Sequence, residues 1–190
     1  MGVMAAILEI PEVLQRISRL SVEEYHRLDE FNEHGRRTEL IRGLVIEKTS
    51  KSPLHRTIAS RLYRLFLAQL PEGYCVWKEE PLTLADSEPE PDISVTRGQE
   101  SDFATAHPAS AELVVEIAVS SSALDRESAA LYAEAGVKEY WIVLAPERQV
   151  EVYRQPHNGR YQQSQMFRAG DRLECASLPA LHLAVSDMFL

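Results

Sequence analysis

Cysteine is scarce in this chain, and long apolar runs are absent. Its 190 residues include two cysteines, Cys75 and Cys175, which belong to no Cys-x-x-Cys pair and no Cys/His cluster. A disulfide framework and a zinc site are therefore disfavoured, and we expect two free thiols. No apolar run approaches the roughly 18 residues of a transmembrane helix, and the amino-terminal segment lacks the basic start of a signal peptide. We expect a cytoplasmic protein with no membrane contact.

Two catalytic motifs and a surplus of positive charge are also missing. The sequence contains no glycine-rich phosphate loop and no Gly-x-Ser-x-Gly, which argues against a P-loop enzyme and a serine hydrolase. Lys and Arg total 20 against 29 Asp and Glu, for a net charge of −9. Such a chain is not built mainly to retain nucleic acid electrostatically. An enzyme that contacts nucleic acid through a metal and a local basic patch remains open.

The composition and the hydrophobic periodicity predict one α/β domain. The chain is 45% hydrophobic and 26% charged, as is usual for a globular protein. We assign residues 1–19 to an amino-terminal leader, either a short helix after Pro11 or a frayed arm, and residues 20–190 to the domain. Helical spacing predicts helices over 54–70 and 124–135. The second helix lies between two apolar strands, which indicates a βαβ unit.

Two carboxylates in strand-like apolar segments are the main functional candidates. Asp92 opens the segment Asp-Ile-Ser-Val, and Glu116 interrupts Leu-Val-Val-Glu-Ile-Ala-Val. A carboxylate in such a segment is costly to bury unless it is paired or binds a cation. If the strands are neighbours, the two can share one hard divalent metal with a backbone carbonyl, for which Ile117 is the natural donor.

Each candidate also has a purely structural interpretation. Asp92, after Pro-Glu-Pro, is also suited to capping a turn. Glu116 can point to solvent from an edge strand, and Glu39 can be an ordinary exposed strand residue. His55 opens a helix, where it can bond locally or contact the site.

Six motifs in order resemble a known family. They are Ser21-Val22-Glu23-Glu24-Tyr25, Glu39-Leu40-Ile41-Arg42-Gly43, His55, Pro91-Asp92, Val114-Val115-Glu116 and Tyr132-Ala133-Glu134-Ala135-Gly136-Val137-Lys138-Glu139-Tyr140-Trp141. Over residues 20–190 the chain resembles the Uma-two group of "putative restriction endonucleases", in the PD-(D/E)xK nuclease superfamily.

That resemblance implies a fold, a reaction and a set of site residues. The fold is a restriction-endonuclease-like mixed central sheet flanked by helices, in a single domain. Asp92 and Glu116 match the metal-binding carboxylates, and Glu39 matches an acidic residue that helps to orient metal and water. With Ile117 as the carbonyl donor, the expected cofactor is Mg²⁺ (or Mn²⁺) and the expected substrate is DNA. We also expect a homodimer, since the relatives act on two strands and the carboxyl-terminal hairpin offers strand edges.

The sequence departs from the family at its lysine. Two residues after Glu116 stands Ala118, and Ser128 occupies the helical position of the family's lysine. Nearby cations are Arg126, Lys138 and Lys78, none of which matches by position. The first hypothesis is a Mg²⁺-dependent DNA endonuclease weakened by this loss. The alternative is a catalytically inactive nuclease-fold protein that serves as a binding or assembly module, and a third is a toxin-like or defence-associated protein that acts on RNA.

Overall fold

The computed structural model describes residues 10–29, 37–120 and 122–189. The predicted end of the first domain helix, near His34 and Gly35, lies outside these ranges. Four α-helices are described; they are α1 (Pro11–Leu14), α2 (Val22–Asp29), α3 (Pro53–Gln69) and α4 (Ala123–Glu134). Within these ranges, no helix combines the length and the apolar character that crossing a membrane requires.

The described residues include ten strands, which form one six-stranded sheet and two small hairpins. The strands are β1 (Thr38–Ile41), β2 (Leu44–Glu47), β3 (Tyr74–Trp77), β4 (Ile93–Arg97), β5 (Leu113–Ala118), β6 (Glu139–Leu144), β7 (Gln149–His157), β8 (Arg160–Arg168), β9 (Arg172–Glu174) and β10 (His182–Ala184). The large sheet has the order β3-β4-β5-β6-β7-β8. Among the described strands of this sheet, β5 and β6 pair in parallel and the other neighbours pair antiparallel, so the sheet is mixed, as predicted.

The predicted βαβ unit is confirmed as β5, α4 and β6. Gly136, with a φ of 74°, follows the end of α4, where a left-handed residue turns the chain out of the helix. Odd-numbered residues of β5 pack towards α3 and the carboxyl-terminal segment, and Val114 and Ala118 pack towards α4. This alternation directs Glu116 to the α4 face of the sheet.

Helix α3 follows its predicted bounds closely. Ser52 caps its amino end by accepting a hydrogen bond from the His55 backbone N–H at 3.2 Å, and Pro53 occupies the first turn. Its buried face includes Ile58, Leu62 and Phe66. We expected Leu54 on that face, but it lies in the first turn of the helix and is 41% exposed.

The hairpin β1–β2 packs beside the large sheet. Arg42 and Gly43, with φ values of 54° and 75°, form its two-residue turn, and consecutive positive φ values match the twist of a tight hairpin. The Leu40 backbone N–H donates to the Glu88 carbonyl at 3.4 Å, and Glu88 donates back at 2.7 Å. This pairing fixes the hairpin, and with it Glu39, against the segment that leads into β4.

The carboxyl-terminal hairpin β7–β8 turns at Asn158 and Gly159 as predicted. Most side chains of β8 are exposed, and the central run Gln162–Gln165 is entirely polar. The apolar edge from which we expected a homodimer is therefore absent from this strand, and the dimer stays a prediction. The two cysteines are free, as expected, and both are buried.

Candidate active site

A cleft of about 460 Å³ contains all four predicted site residues, Glu39, Asp92, Glu116 and Ile117. The hairpin β1–β2, the loop from β2 to α3, the entry to β4, the carboxyl end of β5 and the first turns of α4 form its walls. The strands β4 and β5 are interior strands of the six-stranded sheet. Glu116 is therefore not on an edge strand, and the solvent-facing interpretation is wrong.

Strand register brings Asp92 and Glu116 together. Strands β4 and β5 pair antiparallel with Ile93 opposite Val115, so Asp92, one residue earlier, lies opposite Glu116. The Asp92 backbone N–H donates to Glu116 Oε2 at 3.2 Å. The expectation that these carboxylates belong to neighbouring strands is confirmed.

Asp92 is buried and held by three donors. Its Oδ1 accepts from Lys51 Nζ at 2.6 Å, and its Oδ2 bonds to His55 Nε2 and accepts from the Ile117 backbone N–H, both at 2.8 Å. Burial alone raises the pKa of Asp92, but the His55 bond and the Lys51 charge outweigh it and leave the pKa below its ordinary value. The turn-capping interpretation does not account for these contacts. His55 contacts the site and is not limited to its local helix.

Glu116 has the opposite electrostatic balance. Burial and the charges of Asp92 and Asp125 raise the pKa of Glu116 well above its ordinary value. The Tyr132 hydroxyl donates to Glu116 Oε1 at 3.0 Å. Burial also raises the pKa of Tyr132, so its hydroxyl stays protonated and orients the carboxylate.

Glu39 reaches the cleft from a different sheet. Its Oε2 accepts from the Glu90 backbone N–H at 3.2 Å and lies 3.5 Å from Lys48 Nζ. Lys48 also donates to the Glu90 carbonyl at 2.8 Å. Glu39 therefore lines the cleft with Asp92 without bonding to it directly.

The first turns of α4 add an acid, Asp125, and Ser128, the serine that we expected at the position of the family lysine. Burial and the charge of Asp92 raise the pKa of Asp125 from 3.8 to about 6. Ser128 lines the same cleft, and its hydroxyl donates to the Leu124 carbonyl at 2.9 Å.

The cations of this cleft are not the ones that we predicted from the sequence. Lys48 and Lys51 line it, whereas Arg126, Lys138 and Lys78 do not. Arg126 instead pairs with Glu151 outside the cleft. The sequence did contain a signal for the two lysines. Both stand just before the helix that begins at Ser52-Pro53, and that helix brings His55 to the site.

The oxygen donors leave room for a hard cation. A carboxylate oxygen has two acceptor positions, and Asp92 Oδ2 uses both. Asp92 Oδ1 and each Glu116 oxygen accept one hydrogen bond from the described residues, so three oxygens keep an acceptor position. In the same part of the chain no three His, Cys, Asp or Glu side chains are grouped to hold a metal. A cation bound here requires further ligands, such as a backbone carbonyl or water.

Comparison with known proteins gives a family model and a solved structure. The model described as "Uma2: Putative restriction endonuclease" matches residues 22–186. The solved structure, a "putative nuclease belonging to DUF820" from Anabaena variabilis, has a TM-score of 0.76 and 22% identity, covering 90% of this chain and 97% of that one. This likeness confirms the nuclease-like mixed α/β fold. No curated protein matches the chain.

Proposed function

This chain belongs to the Uma2 family, described as "putative restriction endonuclease", and on that premise we propose that it is a Mg²⁺- or Mn²⁺-dependent endonuclease that hydrolyses DNA phosphodiester bonds. One observation carries the proposal: Asp92 and Glu116 lie opposite each other on adjacent strands, in a cleft that also presents a lysine. Acidic oxygens for a metal and a cation for the phosphate are what such hydrolysis needs.

Asp92 Oδ1, the Glu116 carboxylate and the Ile117 carbonyl are the oxygens that would hold the metal. Such an ion polarises the phosphate and lowers the pKa of a bound water. The surroundings of Glu116 favour this assignment. Burial and then the neighbouring carboxylates raise the pKa of Glu116, and a bound cation would offset the repulsion between the carboxylates.

The surrounding side chains have separate tasks. His55 keeps Asp92 ionised and, with the Ile117 N–H, fixes its Oδ2. Tyr132 orients Glu116. Lys51, the cation nearest to Asp92, stabilises negative charge that develops on the phosphate, a contribution that is typically worth about 3 kcal/mol. Lys51 thus supplies in this cleft the positive charge that Ser128 does not.

Cleavage of supercoiled plasmid tests the proposal. Wild-type protein is incubated with Mg²⁺ or Mn²⁺ beside Asp92→Asn, Glu116→Gln and the control Asp187→Asn, an exposed residue outside the cleft. Thermal unfolding of each variant shows whether it is folded. We expect cleavage by wild type and the control only. Equal cleavage by Asp92→Asn would overturn the site assignment.

A catalytically inactive binding module remains the second candidate, and one observation favours it. Lys51 and His55 already contact both oxygens of Asp92, so Lys51 partly neutralises the site without a metal. Isothermal titration separates the two candidates. The endonuclease must bind Mg²⁺ or Mn²⁺, and binding must weaken in Asp92→Asn. A folded wild type that binds neither ion supports the module.

A further inference from the structure

A second cavity, of about 390 Å³, adjoins the acidic cleft. Arg37, Arg56, Glu79 and the loop residues 48–51 line it, and the same loop residues line the acidic cleft on its other side. The second cavity therefore contains four cations, Lys48 and Lys51 included, and one acid. We call it the basic cavity.

The two cavities carry opposite charge. Six acidic side chains face the acidic cleft, against two lysines; the acids are Glu39, Glu47, Glu90, Asp92, Glu116 and Asp125. In a chain with a net charge of −9, a local excess of positive charge is the feature that can attract a polyanion. Here that excess lies directly beside the candidate catalytic carboxylates.

Arg56 is the most informative residue of the basic cavity. It is exposed near the amino end of α3 and forms no ion pair with any residue that the structure describes. A cation at a helix amino end opposes the helix dipole, so Arg56 gains no stability from its position. A solvent-facing guanidinium in a cavity is well suited to bidentate binding of phosphate.

Arg37 and Lys51 complete the arrangement. Arg37 lies 3.0 Å from Glu90 and 3.4 Å from Glu79, and its side chain is 55% exposed. Lys51 lies 3.5 Å from Glu79 and 2.6 Å from Asp92. The Lys51 ammonium thus contacts an acid of each cavity. The loop 48–51 separates the two cavities, so a nucleic-acid strand that occupies both must pass along this loop.

We propose that the basic cavity is a phosphate-binding subsite: Arg56 and Arg37 hold a backbone phosphate of the nucleic-acid strand whose neighbouring phosphodiester lies in the acidic cleft. This inference rests on the proposed nuclease function and adds to it the direction in which the strand leaves the site. Phosphate contacts of this kind set position without reading sequence.

Binding of a fluorescein-labelled DNA duplex, followed by anisotropy with Ca²⁺ in place of Mg²⁺, tests the subsite. Arg56→Ala is compared with Arg64→Ala, a matched exposed arginine of α3 that does not line the cavity. We expect about tenfold weaker binding for Arg56→Ala, with the slope of log affinity against log salt reduced by about one. Arg64→Ala should bind as wild type does, and Arg56→Lys should recover only part of the lost affinity, because an ammonium keeps the charge but not the bidentate geometry.

The outcomes separate this inference from the proposed function. If wild type cleaves plasmid but Arg56→Ala and Arg64→Ala bind DNA equally well, the subsite is refuted and the nuclease stands. If wild type neither binds nor cleaves DNA, both fail. A loss of inorganic phosphate binding in Arg56→Ala without any loss of DNA binding would also overturn the subsite, since it would indicate a site for a free anion.

Discussion

Replacing Asp125 by Asn is expected to change how the stability of the protein depends on pH. Burial and the charge of Asp92 raise the pKa of Asp125 from 3.8 to about 6 in the folded protein. Between these values the folded state holds a proton that the unfolded state has released, so stability falls as pH rises. This loss of stability is complete at pH values above the pKa of Asp125 in the folded protein. Asparagine cannot ionise, so the Asp125→Asn variant does not lose this stability.

The magnitude follows from the size of this pKa difference. Each pKa unit corresponds to about 1.4 kcal/mol, so ionisation of Asp125 costs about 3 kcal/mol at high pH. From about pH 4.5 to about pH 8, the contribution of Asp125 to the free energy of unfolding falls by about 2 kcal/mol. Because Asp125 is partly exposed, solvent screening reduces this to about 1 kcal/mol.

Urea denaturation at these two pH values measures the effect. The free energy of unfolding of Asp125→Asn relative to wild type should rise by about 1 kcal/mol from the lower pH to the higher. Asp187→Asn, an exposed control, should show no such rise. The same pH dependence in both variants would refute the electrostatic account of the cleft.

Three further substitutions test other parts of the structure. Arg154 Nε lies 2.9 Å from the buried Glu139 carboxylate. Glu139→Ala removes this pair and should lower the free energy of unfolding, measured by urea denaturation, by about 3 kcal/mol. Tyr132→Phe removes the donor to Glu116 and should weaken Mn²⁺ binding about tenfold by isothermal titration; unchanged affinity would show that this bond does not position the carboxylate. Gly43→Ala places a Cβ at a φ of 75° and within 2.6 Å of another side chain, so its unfolding free energy should fall by about 2 kcal/mol.

The two central carboxylates of the site could be predicted from the sequence, but the side chains that surround them could not. Asp92 and Glu116 were found because a carboxylate stands out in an apolar strand, and that signal is local. The antiparallel register that pairs them follows from β4 and β5 being neighbours, which periodicity alone does not reveal.

Contacts between distant segments could not be predicted in the same way. Lys51 reaches Asp92 across 41 positions of the chain, from a loop with no periodic pattern. Arg126, the sequence neighbour of Ser128, was a candidate for the missing cation, but it pairs with Glu151 outside the cleft. A charge that reaches the site from a distant segment can be located only in the folded structure.

Metal-dependent cleavage by the same protein sample, switched off and on, is the most direct test of the central claim. Supercoiled plasmid is incubated with wild type and Asp92→Asn in Mg²⁺, then with chelator, then with excess Mg²⁺ restored. The account predicts that wild type cleaves, stops and resumes, while folded Asp92→Asn stays inactive throughout. Cleavage that persists in chelator, or that Asp92→Asn shares, would contradict the claim that Asp92 and Glu116 form a metal-dependent nuclease site.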